Sequence, residues 1–195
     1  MSADWPEGVG RHVLTTVGST NAHALGLAET PAWVLAHEQT AGRGRRGRAW
    51  SSPRGNFYAS YVMEVRERPE ARSLPEAAEL LGISPVDIVK TLVVKRSDDT
   101  FLFALIPGDR AIAWPKLRQL VGVNKLKLPD ADVALAATGY ERGTIVPLGS
   151  TTAWPVFADE SIRGRRIALG AGAHGFSLFV DADALLQALD ATVAD

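Results

Sequence analysis

Apolar residues recur in short runs along this chain, and glycine, proline and small polar residues separate the runs. Arg11–Val17 (RHVLTTV) and Ala32–Glu38 (AWVLAHE) are rich in β-branched and apolar residues and predict two strands. Between them Ser19-Thr20-Asn21 offers N-cap chemistry for a short helix, NAHALGLAE, which Pro31 ends. Asn56–Arg68 (NFYASYVMEVRER) predicts one long strand. Beyond Pro69, Leu74–Gly82, Ala113–Gly122 and Asp130–Gly139 read as helices, each ending on glycine, the first two with proline in the first turn. SPVDIVK predicts a second short helix or turn. TLVVKR and TFLFALIPG predict a hairpin around Ser97-Asp98-Asp99. TAWPVFADES and RRIALGAG follow as strands. SLFVDADALLQAL supplies a last strand and helix, capped by Asp181 or Asp183. Strands and helices alternate, so the class is α/β (α+β), a mixed β-sheet with flanking helices.

Composition narrows the chemistry. An apolar fraction of 46% over 195 residues is enough for a packed core and argues against disorder. The absence of cysteine excludes disulfides, thiolate nucleophiles and zinc–thiolate sites, and fits a cytoplasmic protein. No apolar run has the length of a membrane span, and MSADWPEGVGRHV lacks the basic-then-apolar order of a secretory signal. No metal-ligand cluster or Ser-His-Asp order stands out, so neither a metal nor another cofactor is expected. The net charge of −1 argues against a strongly cationic nucleic-acid binder but allows a local basic patch. Every lysine lies after Glu64, whereas the cations before it are all arginine.

The densest basic run is Gln39–Trp50, QTAGRGRRGRAW. Gly42 to Gly47 matches G-x-G-x-x-G after a strand, but RAWSSPRGN follows where a dinucleotide fold needs a helix. The physical content survives: glycines let backbone N–H groups converge on an anion, and arginines add charge-assisted bonds. The plain alternative is a solvated basic loop. Taken together, STN, a strand and QTAGRGRRGRAWSSPRGNFYAS, over residues 11–63, resemble the start of the biotin–protein ligase catalytic domain. The resemblance implies a biotin-ligase-like β-α-β segment with Ser19, Thr20, Gln39, Gly42, Arg43 and Arg45 as possible biotin or adenylate contacts. Gly18 replaces the acidic residue usual before STN. The family's Lys-Trp-Pro-Asn-Asp strand is missing, because Ala113-Trp114-Pro115-Lys116 has its lysine on the wrong side. Adenylation by half a site is therefore not expected.

Residues 72–195 resemble the YbaK-type prolyl-tRNA editing family. The segments that carry this are EAAELLGISPVDIVKTLVV, LIPGDRAIAWPKLRQLVGVNKLKL, TGYERGTIVPLGS, PVFADES and ALGAGAHG. The resemblance implies an aminoacyl-tRNA deacylase acting on misacylated proline tRNA. Its partners would be the aminoacylated tRNA 3′ end and prolyl-tRNA synthetase, with no membrane and a monomer or weak oligomer. Lys90, set in the apolar run IVKTL, becomes the residue needed for deacylation; on its own chemistry it is a solvated edge lysine or a buried cation awaiting a partner. Gly143, Pro147 and Gly149 would wall the aminoacyl pocket, or form a plain turn. Gly170 and Gly172 would bring backbone amides to the ligand, or mark a β-bulge. Asp159 is a pocket carboxylate or a helix cap, and His174 tunes substrate choice or sits on the surface.

The family's first helix is absent, and the junction falls near Tyr61–Arg66, inside a strand common to both resemblances. The expected organisation is a biotin-ligase-like fragment at 1–64 and an editing-like domain at 65–195, a fusion either natural or engineered. Deacylation is the first expectation. A non-catalytic biotin- or nucleotide-binding fragment, or an inactive chimera, is the alternative. The small net charge predicts modest tRNA affinity with a shallow salt dependence.

Overall fold

The structure is a computed structural model that describes residues 8–43, 48–68 and 70–195. It divides into two compact units, one ending at Glu64 and one running from Val65 to Asp195.

Among its described residues the first unit holds three strands and one helix: β1 (Gly10–Leu14), α1 (Thr20–Leu25), β2 (Ala32–Ala36) and β3 (Tyr58–Val62). The sheet order is β1-β2-β3, with β1 parallel and β3 antiparallel to β2. Burial alternates along β2, where Ala32, Val34 and Ala36 are buried and Trp33 and Leu35 are half-buried. The expected first strand is shorter than its apolar pattern: it stops at Leu14, and Val17 rejoins only through an isolated bridge to Gln39. The Ser19 side chain caps α1 by accepting from the Ala22 amide. The helix ends at Gly26, ahead of the expected stop at Pro31, because the Gly26 N–H turns back onto the His23 carbonyl.

The single strand expected over Asn56–Arg68 is interrupted at Met63 and resumes as β4 (Glu64–Glu67), within which the second unit begins at Val65. Then come α2 (Leu74–Leu81), a 3-10 turn at Pro85–Asp87, β5 (Val89–Arg96), β6 (Phe101–Pro107), α3 (Trp114–Val121), β7 (Leu126–Lys127) and α4 (Ala131–Thr138). The unit closes with β8 (Val156–Asp159), β9 (Arg166–Gly170), β10 (Phe176–Asp181), α5 (Ala182–Ala188) and β11 (Thr192–Ala194). Two sheets form, a mixed one of order β11-β8-β6-β5-β7 and a smaller one of order β4-β10-β9. The helix ends follow the expected chemistry. Gly82, Gly122 and Gly139 stop their helices in the left-handed region, and Asp181 rather than Asp183 caps α5. The short strands β7 and β11 were not expected, since two or three residues carry no periodic signal.

Side chains alternate across β5. Leu92 and Val94 lie on the face that packs with Leu102, Ala104 and Ile106 of β6 and with Trp114, Leu117 and Val121 of α3. A second cluster joins Leu81, Ile83 and Ile88 to Ala168 and Phe179 of the smaller sheet. No helix among the described residues is long and apolar enough to cross a membrane.

Leu102 is 1% exposed at the centre of the first cluster. Leu102→Ala is expected to destabilise the second unit by about 2–5 kcal/mol, the cost of a cavity that its neighbours cannot fill. Chemical denaturation followed by circular dichroism measures it.

Candidate functional site

Lys90 is the second residue of β5, opposite Ile106 of β6. It shares a strand face with Leu92 and Val94 by alternation. Its ammonium is not fully solvated, and among the described residues it is paired with no carboxylate. Nζ donates to the Gly108 carbonyl at 2.9 Å and also to the Arg110 carbonyl. Both acceptors belong to the turn after β6. An ammonium has three donors, and these two bonds fix its position without cancelling its charge.

Lys90 also lines a cavity of about 460 Å³ together with Thr91, Arg142, Gly143, Gly170 and Ser177. The glycines are there for two physical reasons. A Cβ on Gly170 would lie 2.3 Å from the Ile145 carbonyl oxygen and 2.6 Å from that of Thr144, so the strand and the loop meet backbone to backbone. Gly143, at φ +93°, adopts a conformation that side chains disfavour. The Gly172 N–H donates to the Thr144 carbonyl at 2.9 Å, which pins the same loop from the next turn. The Thr144 hydroxyl donates to the Glu141 carbonyl. Pro147 is buried within the loop, and the Tyr140 hydroxyl, bonded to the Leu148 carbonyl at 2.8 Å, lies against Gly149. Lys90, Gly143 and Gly170 thus share one cavity, while Gly172, Pro147 and Gly149 shape the loop and are not among the residues that line it.

Asp159 and His174 are placed elsewhere. Asp159 caps the 3-10 turn Glu160–Ile162 through Ser161 and pairs with Arg110, each carboxylate oxygen 3.1 Å from the guanidinium. It lines a second, largely apolar cavity beside α3. Burial alone would raise the Asp159 pKa, but the bonds from Ser161 and the Arg110 guanidinium outweigh it and hold the carboxyl below its usual value. Because the Arg110 carbonyl accepts from Lys90, the two residues are linked through Arg110. His174 is exposed, next to Gly143, with Nε2 3.0 Å from Glu141.

The sequence missed Thr91, Ser177 and Arg142 as wall residues and Arg110 as the bridge. Thr91 follows Lys90 directly, and the arginine in PGDR follows a strand, but neither carries a signal without the pairing of β5 and β6. The Thr91 hydroxyl is buried with no hydrogen-bond partner among the described residues.

The first unit holds its own polar cluster. Gln39 Oε1 accepts from the Thr20 amide at 2.7 Å and from its hydroxyl at 3.1 Å. Gln39 Nε2 donates to Ser52, and Ser60 donates to Thr20. Gly42 packs so closely that a Cβ would meet Ser52 Oγ at 2.6 Å. Thr20, Gln39 and Gly42 are thereby brought together, Ser19 serves as the cap of α1, and Arg43 is exposed. Arg45 lies outside the described residues.

Two family models match the chain. The aminoacyl-tRNA editing domain matches residues 68–188, and the biotin/lipoate A/B protein ligase family matches residues 14–94. The ligase match runs past the junction and overlaps the editing match. Among relatives, a proline–tRNA ligase of Shouchella clausii is 38% identical over 116 residues, 59% of this chain and 20% of its own length. A biotin–[acetyl-CoA-carboxylase] ligase of Paracoccus denitrificans is 41% identical over 107 residues, 53% of this chain and 39% of its own. The chain therefore spans only a minor part of either relative. A solved structure described as a candidate trans-editing enzyme for prolyl-tRNA synthetase is 27% identical, with a TM-score of 0.63 over 68% of this chain and 85% of that one. The chain belongs to the aminoacyl-tRNA editing domain family, and its first part is similar to biotin ligases.

The lowered Asp159 pKa sets a pH dependence. The carboxylate contributes stability above the unfolded value of about 3.9, and that contribution is lost as pH falls through the lower folded value. Asp159→Asn is expected to melt at a lower temperature at neutral pH and to lose less on acidification below about pH 4. Thermal melts across that range check it.

Proposed function

We propose that the Lys90 cavity of this editing-family chain hydrolyses the ester between a small non-cognate amino acid and the 3′ end of proline tRNA. The observation that carries this reading is the state of the Lys90 ammonium. Two neutral carbonyls hold it without cancelling its positive charge, and Lys90 is one of the residues that line the cavity. In the reaction, water adds to the ester carbonyl carbon. The bond to the ribose oxygen then breaks, leaving a free amino acid and a ribose hydroxyl that takes up the proton. Negative charge gathers on the carbonyl oxygen meanwhile. A cation fixed in advance stabilises that charge without reorganising. Gly143, with no backbone against the position of its missing Cβ, lets a substrate approach the backbone, whose dipoles add to the same effect.

The walls suit a small side chain. Ala77, Ala134 and Leu128 make an apolar surface. The resemblance to proline–tRNA ligases supports proline tRNA as the carrier and prolyl-tRNA synthetase as the source of the misacylated substrate. Asp159 and His174 belong to the frame of this site, acting through Arg110 and Glu141, and do not touch the ester.

Release of amino acid from proline tRNA charged with alanine or cysteine tests the reading. Lys90→Ala is expected to reduce the rate by about a hundredfold or more, the usual cost of removing an oxyanion donor. Circular dichroism and binding of uncharged tRNA verify that the variant folds. Equal rates in wild type and a folded variant overturn the assignment.

A second reading concerns the first unit. The Thr20–Gln39–Ser52 network with Gly42 packed against it is a preorganised polar site, and this part of the chain is similar to biotin ligases. It supports binding of biotin or a biotinyl adenylate without catalysis. Calorimetric titration with both compounds, up to about millimolar, is expected to show heat that Gln39→Ala abolishes; no heat at that concentration removes this reading.

A further inference from the structure

Ser177 stands on β10 in the wall of the Lys90 cavity. The residue is only 3% exposed, and among the described residues its hydroxyl has no hydrogen-bond partner. A buried hydroxyl left without a partner costs free energy that folding does not recover. Two other hydroxyls of the described residues lack partners, those of Thr91 and Ser150, and both are sealed from solvent. The Ser177 oxygen is not sealed in this way, so it meets the open space of the cavity that the residue lines. A polar atom kept bare at that place suits a ligand group that bonds to it.

The strand register sets Ser177 against the rest of the site. Ser177 lies opposite Gly170 of β9, and Phe179 lies opposite Ala168, so these four share one face of the smaller sheet. Ala168 also forms a parallel bridge to Ile88, two residues before Lys90. Counted forward in that register, Lys90 comes level with Gly170, and so with Ser177. Two strand spacings separate Lys90 from Ser177, about 10 Å between backbones, a gap that the two side chains and one aminoacyl group fill. Gly170 puts no side chain between them. The Ile145 and Thr144 carbonyl oxygens lie 2.3 and 2.6 Å from where its Cβ would be. The charged residues lining the cavity are Arg68, Lys90 and Arg142, and no carboxylate is among the described lining residues. An ammonium that enters meets like charges, which favour its neutral amine form. A neutral amine both donates and accepts, and a hydroxyl matches it in either direction.

We propose that the Ser177 hydroxyl binds the α-amino group of the aminoacyl ester while Lys90 faces the ester carbonyl. The cavity would then select aminoacyl esters over esters that lack the amine. The proposal rests on the ester-hydrolysis reading of the Lys90 cavity. The α-amino group is common to the amino acids, so this contact fixes the orientation of the ester and leaves side-chain selection to the apolar walls.

The test uses the full chain, as wild type and as Ser177→Ala, with two substrates. One is proline tRNA acylated with alanine; the other is the same tRNA acylated with propionate, which lacks the amine. Each enzymatic rate is divided by the rate of spontaneous hydrolysis, because the amine itself activates the ester. Ser177→Ala is expected to lower kcat/KM for the alanyl ester about tenfold more than for the propionyl ester, the size of one hydrogen bond. Equal loss on both esters overturns the proposal, because Ser177 then serves the water, the ester or the fold. No loss on either also overturns it, and both results leave the Lys90 reading standing. Should Ser177→Ala fail to fold by circular dichroism, the wild-type ratio decides: about tenfold in favour of the alanyl ester supports the amine contact, and a ratio of one overturns it. If wild type releases neither acyl group, the Lys90 reading fails, and calorimetric titration with the alanyl and propionyl amides of 3′-amino-3′-deoxyadenosine decides the amine site. Tighter binding of the alanyl amide by about tenfold supports it. Equal affinity, or no binding of either amide up to about millimolar, overturns it.

Discussion

The ammonium of Lys90, held by two backbone carbonyls, is the constraint around which the second unit is arranged. The strand β5 must present a lysine in the middle of an apolar pattern, and a half-buried cation needs partners. Those partners come from the turn after β6, which the antiparallel pairing of β5 and β6 brings alongside. That turn leads into α3, and α3 covers Leu92 and Val94 on the face that Lys90 shares. The same turn contributes Arg110, whose guanidinium reaches Asp159 at the end of β8. One charged group thus ties together the hairpin, the following helix and the neighbouring parallel strand. A carboxylate partner would have satisfied the lysine equally well, but it would have neutralised its charge.

Much of the second unit was legible because its punctuation is chemical. Pro75 and Pro115 open helices, Gly82, Gly122 and Gly139 close them, and Asp181 caps the last one. The backbone geometry each residue permits is local, so the sequence displays it. The strand expected to run through Met63 was legible only in part. Its apolar pattern is continuous, and nothing local records that its two halves pair with different partners, β2 and β10. Strand partners are chosen by tertiary contacts rather than by propensity.

The candidate site divides along the same line. Lys90, Gly143 and Gly170 could be named in advance, since a lysine in an apolar run and glycines after strands are conspicuous. Thr91 and Arg110 could not, because a threonine in a strand and an arginine after a turn are ordinary until the fold places them. Asp159 shows the reverse. Its capping role was legible from FADES alone, whereas its ion pair crosses forty-nine positions of sequence. In the first unit, Thr20 and Gln39 are nineteen positions apart and meet only because β1 and β2 run parallel.

The contact of Gly170 with the Thr144 and Ile145 carbonyls has a consequence for how this site can change over evolutionary time. The wall is set by main chain against main chain, with no side chain acting as a spacer. Its shape is therefore insulated from most substitutions, apart from those at the glycine itself. The cavity's lining at Thr91, Ala77 and Ala134 is free of that duty. Under the proposed deacylation, exchanges there would alter which amino acid fits while the ester keeps its position. On that proposal, selectivity and catalysis would be carried by separable parts of the chain, and a family built on this plan could diversify its substrates without rebuilding its chemistry.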